Sequence, residues 1–208
     1  MKVKLLNSLE KATNIIFTAC RTCYSGKSPI ELSSEQPNIE LILKVARSGH
    51  LSTFEHVVCT FAIEGVSRSL LAQLTRHRLC SFSVQSQRYC KFDNSFILPD
   101  SIENEQVYVF LENCKKLYHT LIESGVKKED ARAILPNASS TNLVITCNLR
   151  ELIHICNLRL CSRSQKEIRE LVTKMKQLIV NELPFMKEFL VPKCKVCTER
   201  SNCEVKDE

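Results

Sequence analysis

The sequence predicts an α+β fold, because two halves each set a β-branched stretch beside segments of helical apolar spacing, and no internal repeat relates them. A length of 208 residues suits one well-buried core and favours a single domain. The composition, 44% hydrophobic and 25% charged with only 4 Gly and 6 Pro, excludes a linker or a disordered chain.

The elements follow in order. Met1 to Asn7 reads as a short strand, and Ser8 caps a helix with an apolar face through Ile15, Ile16 and Ala19. A loop rich in Ser, Gly and Pro comes next. Asn38 to Ser48 carries Ile39, Leu41, Ile42, Val45 and Ala46 at helical spacing and stops at Gly49, which leaves His50 on the turn. Phe54 to Glu64 is β-branched and aromatic on both faces and reads as a strand inside a sheet. After Gly65, Ser67 to Arg76 returns to helical spacing and presents Arg76, His77 and Arg78 at its C-terminal end. Ser101 to Ser124 is a long amphipathic helix, Lys127 to Leu135 a short one halted by Pro136, and Ser140 to Thr146 a strand. Asn148 to Leu160 and Gln165 to Glu182 complete the helices. Residues 1–190 are expected to form one domain, followed by a cysteine-containing tail at 191–208.

No stretch approaches the roughly 20 apolar residues of a membrane helix, and the N-terminus lacks the apolar core of a signal peptide. A cytoplasmic protein with no membrane partner is expected, and its 12 cysteines are read as reduced thiols. The net charge of +6 is not gathered into the Lys/Arg runs of a nucleic-acid tail. Instead, Arg68, Arg76, Arg78, Arg88, Arg132, Arg150 and Arg159 interrupt apolar segments. A desolvated guanidinium needs an anionic partner, and phosphorylated small molecules are the natural candidates.

The stretch from Arg76 to Tyr89, RHRLCSFSVQSQRY, offers two guanidinium groups and an imidazole, then hydroxyls and amides, then a further Arg. Arg forks bind phosphate bidentately while Ser hydroxyls and backbone N–H groups take the remaining oxygens, so such a run can grip two phosphorylated molecules. The bland alternative is a solvated charged turn.

The order Arg-His-Arg, seven variable residues, Ser, then Arg two positions on resembles the flavin-dependent thymidylate synthases. The resemblance extends through Gly49 to His56, Ala131 to Pro136, Asn148 to His154 and Asn157-Leu158-Arg159. It implies a thymidylate synthase-complementing protein fold, with a mixed, largely antiparallel sheet flanked by helices, and a homotetramer with active sites shared between subunits. The implied activity is reductive methylation of dUMP to dTMP, with FAD as cofactor and with NADPH and 5,10-methylenetetrahydrofolate as co-substrates. Carried over by position, Arg76, His77 and Arg78 contact FAD, with Ser52, Glu55, Asn148, Arg150 and His154 completing its site. Gln73, Arg76, Ser86, Gln87, Arg88, Arg132 and Arg159 hold dUMP. Arg159 is the implied catalytic residue, a fixed positive charge facing the uracil ring. His50 lies near flavin and folate. Val84 departs from the polar residue common at its position and can offer dUMP only its backbone.

Plainer readings stand beside these. His56 and His119 read as satisfied histidines, Arg68 as a helix-surface charge, and Cys80 as packing. Ser86, with no assignable base, reads as a phosphate or ribose ligand and not a nucleophile. Arg150 and Arg159 lie nine residues apart, about two and a half turns, and so project from opposite faces of one helix. Cys194, Cys197 and Cys203 give three thiols where structural zinc wants four ligands, so no metal is expected and a reduced surface tail is the default. Two rivals remain open, a nucleic-acid-binding module with a zinc knuckle and a flavoprotein of a different reaction.

Overall fold

The computed structural model describes residues 1–93, 95–194, 197, 198 and 203. The elements in chain order are β1 (Lys2–Leu5), α1 (Ala12–Thr22), α2 (Pro29–Ser33), α3 (Ile39–Arg47), a 3-10 turn (Leu51–His56), β2 (Val58–Ser67), α4 (Arg68–Leu74), β3 (Ser81–Val84), α5 (Glu105–Glu123), α6 (Lys128–Ala131), a 3-10 turn (Arg132–Ile134), β4 (Ser140–Asn148), α7 (Leu149–Arg159), α8 (Lys166–Glu182) and a last 3-10 turn (Pro184–Glu188).

The sheet runs β1-β2-β4-β3, and the α+β class is borne out. Every ladder among the described residues is antiparallel, so the parallel component of a mixed sheet is missing. The reason lies in the two central strands. Val58 pairs with Asn148 and Ser67 with Ser140, and each strand passes directly into its own helix at opposite ends of the pair, so no crossover returns the chain parallel. The two junctions match. Ser67 Oγ caps α4 by accepting from Leu70 N at 3.0 Å while Arg68 N donates to Ser139 O. Asn148 Oδ1 caps α7 by accepting from Glu151 N at 2.8 Å while Leu149 N donates to Val57 O.

One face of the central pair, with Cys59, Phe61 and Ile63 from β2 and Leu143, Ile145 and Cys147 from β4, is buried in the main core with α1, α3, α7 and α8. The other face, with Val58, Thr60, Ala62, Val144 and Thr146, is at most half-buried. The expectation that β2 lies inside the sheet holds for its pairing, and only one of its faces is deeply covered. A second small cluster of Phe92, Tyr118 and Ala131 seats α5, with Tyr118 Oη accepting from Phe92 N at 3.1 Å. No described helix is long and apolar enough to cross a membrane.

Several boundaries differ from the expected ones. Ser8 Oγ accepts from Glu10 N in a local turn, so α1 starts only at Ala12, and its inward face is Ala12, Ile16, Phe17 and Cys20 with Ile15 exposed. The expected Ser/Gly/Pro loop contains α2, nucleated by a capping box in which Ser28 and Glu31 satisfy each other's backbone N–H and Pro29 opens the helix. Phe54 belongs to the turn before β2 and buries its ring against Phe189, with centroids 5.6 Å apart. β2 therefore starts at Val58 and runs on to Ser67 through a bulge at Gly65, which adopts φ 70°. α5 waits for its Asn104 cap. β3 was not expected at all, although Phe82 and Val84 alternate with Ser81 and Ser83 along it.

Phe61 is fully buried opposite Ile145. Phe61→Ala is expected to lower the unfolding free energy by about 3–5 kcal/mol. Urea denaturation followed by circular dichroism measures this, and a loss below about 1 kcal/mol would place Phe61 outside the core.

Candidate active site

Starting from opposite ends of the central strand pair, α4 and α7 bring their C-terminal ends together. Arg159, in the last turn of α7, donates Nε–H to His77 Nε2 at 3.0 Å and Nη2–H to the Gln73 carbonyl at 3.1 Å. That carbonyl lies in the last turn of α4, where helix carbonyls lack intrahelical partners and favour a cation. The pKa of Arg159 is lowered by burial and by Arg76, which places two like charges beside one space. Such an arrangement awaits an anion or a group that becomes one.

His77 is only 4% exposed. A guanidinium can only donate, so His77 Nε2 must carry its lone pair and the proton of the neutral ring sits on Nδ1. Nδ1 faces Glu151 Oε1 at 3.5 Å. Burial, then Arg159 and His154, push the pKa of His77 down to about 4. Burial pushes that of Glu151 up. Of the Arg76-His77-Arg78 triplet, the two arginines are exposed and the histidine points inward.

A rim along α7 gathers Ser52, Glu55, Arg150 and His154, four of the residues expected to hold the flavin. Ser52 and Glu55 sit exposed on the 3-10 turn that packs against α7, and Arg150 Nη1 donates to the Glu55 carboxylate. His154, one turn beyond Arg150, is exposed, with its ring edge-on to His77 at 5.8 Å and 74°. Asn148 is spent as the α7 cap. His50 is exposed on the turn before Ser52. The opposite projection of Arg150 and Arg159 is as expected. The donor set suits an anionic cofactor, with the guanidinium of Arg150 in the first turn of α7 and those of Arg76 and Arg78 exposed just past the end of α4.

Of the remaining nucleotide-binding candidates, Gln73 lies in the last turn of α4, while Ser86, Gln87, Arg88 and Arg132 gather around its Arg68 end. Ser86 Oγ accepts from Arg88 N at 3.1 Å, Arg88 Nε donates to Glu129 Oε2 at 2.5 Å, and Arg132 Nε donates to the Glu129 carbonyl at 3.1 Å. Gln73 turns its amide to Ser69 O and to Gln165. Arg68, read from sequence as a surface charge, is half-buried here. Its Nη2 donates to Gln85 O at 3.2 Å, while its buried Nε has no hydrogen-bond partner among the described residues, and neither has Thr141 Oγ1. Arg68, Ser86, Gln87, Ser140 and Thr141 line one small cavity. Burial and then Arg132 lower the pKa of Arg68. The sequence did contain the warning, for Arg68 stands between Val66 and Leu70, both fully buried.

The thiols beside the site are unsuited to nucleophilic work. Cys59 is pushed up to about 12 by burial, and Cys147 is pushed up by its hydrogen bond with Cys80 and by burial, so both stay protonated at neutral pH. Among the described residues, His77, Glu151 and His154 are the one group whose possible ligand atoms lie within 4.8 Å of one another. His77 Nε2 already accepts from Arg159, which leaves only its Nδ1 to face Glu151. In the tail, Cys197 N donates to Cys194 O at 3.3 Å and Cys203 Sγ lies 3.5 Å from Ser162 Oγ. Residues 195, 196 and 199–202 lie outside the described residues.

Comparison with known proteins places the chain in a family. The family profile described as "Thymidylate synthase complementing protein" matches residues 4–185. A flavin-dependent thymidylate synthase of Geobacter sulfurreducens is 37% identical over 93% of this chain and 88% of its own length. One from Pyrococcus furiosus is 39% identical over 84% of this chain and 77% of its own. Among solved structures, a UMP/dUMP methylase, PolB, from Streptomyces cacaoi bound with 5-Br dUMP superposes with a TM-score of 0.81 at 25% identity, covering 91% of this chain and 96% of that one. The flavin-dependent thymidylate synthase ThyX of Helicobacter pylori, complexed with FAD and dUMP, gives 0.72 at 26% identity, covering 93% and 99%. On a family match from residue 4 to residue 185 and relatives of this likeness, the chain belongs to the thymidylate synthase complementing protein family, that of the flavin-dependent thymidylate synthases.

Proposed function

We propose that this chain is a flavin-dependent thymidylate synthase that methylates dUMP to dTMP. The observation that carries the reading is the meeting of Arg159 and Arg76 where α4 and α7 converge, with His154 of the flavin rim edge-on to His77 there. Bound FAD supplies two-electron chemistry, with NADPH as reductant and 5,10-methylenetetrahydrofolate as carbon donor. Arg76, Arg78 and Arg150 would supply cations for its phosphates, and Ser52, Glu55 and His154 would flank it. His50 would lie toward flavin and folate.

For dUMP, Arg159 faces the pyrimidine. Two of its N–H groups are fixed on His77 and Gln73, so the remaining donors are aimed before substrate arrives. A fixed positive charge there stabilises negative charge that develops on the uracil and so activates C5. Ser86, Gln87, Arg88 and Arg132 take the phosphate and ribose, and Arg68 joins them because its buried Nε needs an acceptor. A homotetramer with shared sites is supported by apolar surface that a lone chain leaves open. Tyr108, Val109, Phe110 and Leu117 of α5 are exposed, as is Val58 on the outer sheet face.

The test is anaerobic turnover by FAD-loaded protein with NADPH. Flavin reoxidation that requires both dUMP and methylenetetrahydrofolate and yields dTMP is expected, whereas protein that never binds FAD would overturn the reading in favour of a nucleic-acid module. Arg159→Ala should keep its flavin spectrum and lose about 10²–10³ in kcat; unchanged dTMP formation removes Arg159 from the chemistry. Arg68→Gln should raise the KM for dUMP about tenfold or more, the worth of one charge-assisted hydrogen bond. An unchanged KM returns Arg68 to a structural role.

A further inference from the structure

Glu151 occupies the third position of α7, three residues after its Asn148 cap. In α2 the same spacing makes a capping box, with Glu31 Oε2 accepting from Ser28 N at 2.7 Å. In α7 the carboxylate turns inward instead. It is 6% exposed and its Oε1 lies 3.5 Å from His77 Nδ1. Burying a carboxylate is costly, and neither capping nor the helix dipole requires it to be buried. What the burial achieves is an acceptor on the far side of the imidazole from Arg159.

We propose that Glu151 is a positioning residue for Arg159, acting through the tautomer of His77. The inference rests on the reading of Arg159 as the group that faces uracil. A carboxylate at Nδ1 holds the ring proton there, which leaves the Nε2 lone pair as the only state able to accept the Arg159 Nε–H. The opposite tautomer sets N–H against N–H and releases one of the two bonds that aim the guanidinium. The charged and titratable groups around the pair are Arg159 and His154 on α7, Arg76 beside Arg159, and Cys147 on β4 with its partner Cys80. A protonated Glu151 would donate to Nδ1 and favour the wrong tautomer. Because burial raises the Glu151 carboxyl, turnover should fall as pH drops through that raised value.

Glu151→Gln tests this, since an amide fits the same space but can face Nδ1 with either its oxygen or its nitrogen. The variant should keep its flavin spectrum, its Tm and a dUMP KM within about threefold. Its kcat should fall on the order of tenfold to a hundredfold, the usual range for partners that orient another residue, and the acid limb due to the carboxyl should vanish. Unchanged kcat with the same acid limb overturns the proposal, as does a loss confined to Tm or flavin retention. A measurement on the native holoenzyme needs no variant. In ¹⁵N-histidine-labelled protein, one imidazole should stay neutral and Nδ1-protonated well below the usual pKa of about 6.5, and its absence also overturns the proposal. Native enzyme with no dUMP-dependent turnover would strike at the proposed function, leaving the relay to be judged by the ¹⁵N spectrum.

Discussion

The antiparallel pairing of β2 with β4 is the constraint on which the rest depends. It fixes two strand ends that face opposite ways, and from each a side-chain-capped helix starts. Because both helices are held by backbone bonds across the pair, from Arg68 N to Ser139 O and from Leu149 N to Val57 O, their directions are set before any site residue is placed. Their C-terminal ends then converge. The same pairing ladder buries Phe61 and Ile145, so the scaffold and the core draw on the same residues.

On this frame the site is organised by unmet electrostatic demand. Arg159 and Arg76 share a space, Arg68 and Arg132 share another, and in each pair one member is partly buried with a depressed pKa. Like charges brought together in this way cost stability unless a ligand supplies the opposite sign. In the proposed reading a nucleotide would answer both demands, with a phosphate for one pair and a ring that accumulates negative charge for the other. The protonated Cys59 and Cys147 thiols fit a reaction in which orientation and charge, not a cysteine nucleophile, carry the protein's share.

Much of this was legible in the residues. The apolar spacing of Asn38 to Ser48 and the β-branched run within Phe54 to Glu64 act locally, and local patterns survive into the fold. Phe54 was misplaced because a buried turn and a strand share one composition, and only its packing on Phe189 separates them. β3 was missed because four residues are too few for period-two alternation to stand out from a run chosen for its chemistry. Within the candidate site, the arginine-rich order drew attention to Arg76, Arg88 and Arg159, but the inward turn of His77 toward Glu151 depends on two elements that meet only in three dimensions. Arg68 lay between these cases, visible as a charge among apolar neighbours, while its partnerless Nε emerges only from the fold.

The most direct test of the central claim, that the two helix ends and the Arg68 cavity together form one nucleotide site, is a crystal structure of the protein with FAD and dUMP. It should show the uracil within hydrogen-bond distance of Arg159, with His77 still accepting from Arg159 Nε, and the phosphate on Arg68 and Arg132. A dUMP seated elsewhere, with Arg68 Nε still lacking an acceptor, would contradict it.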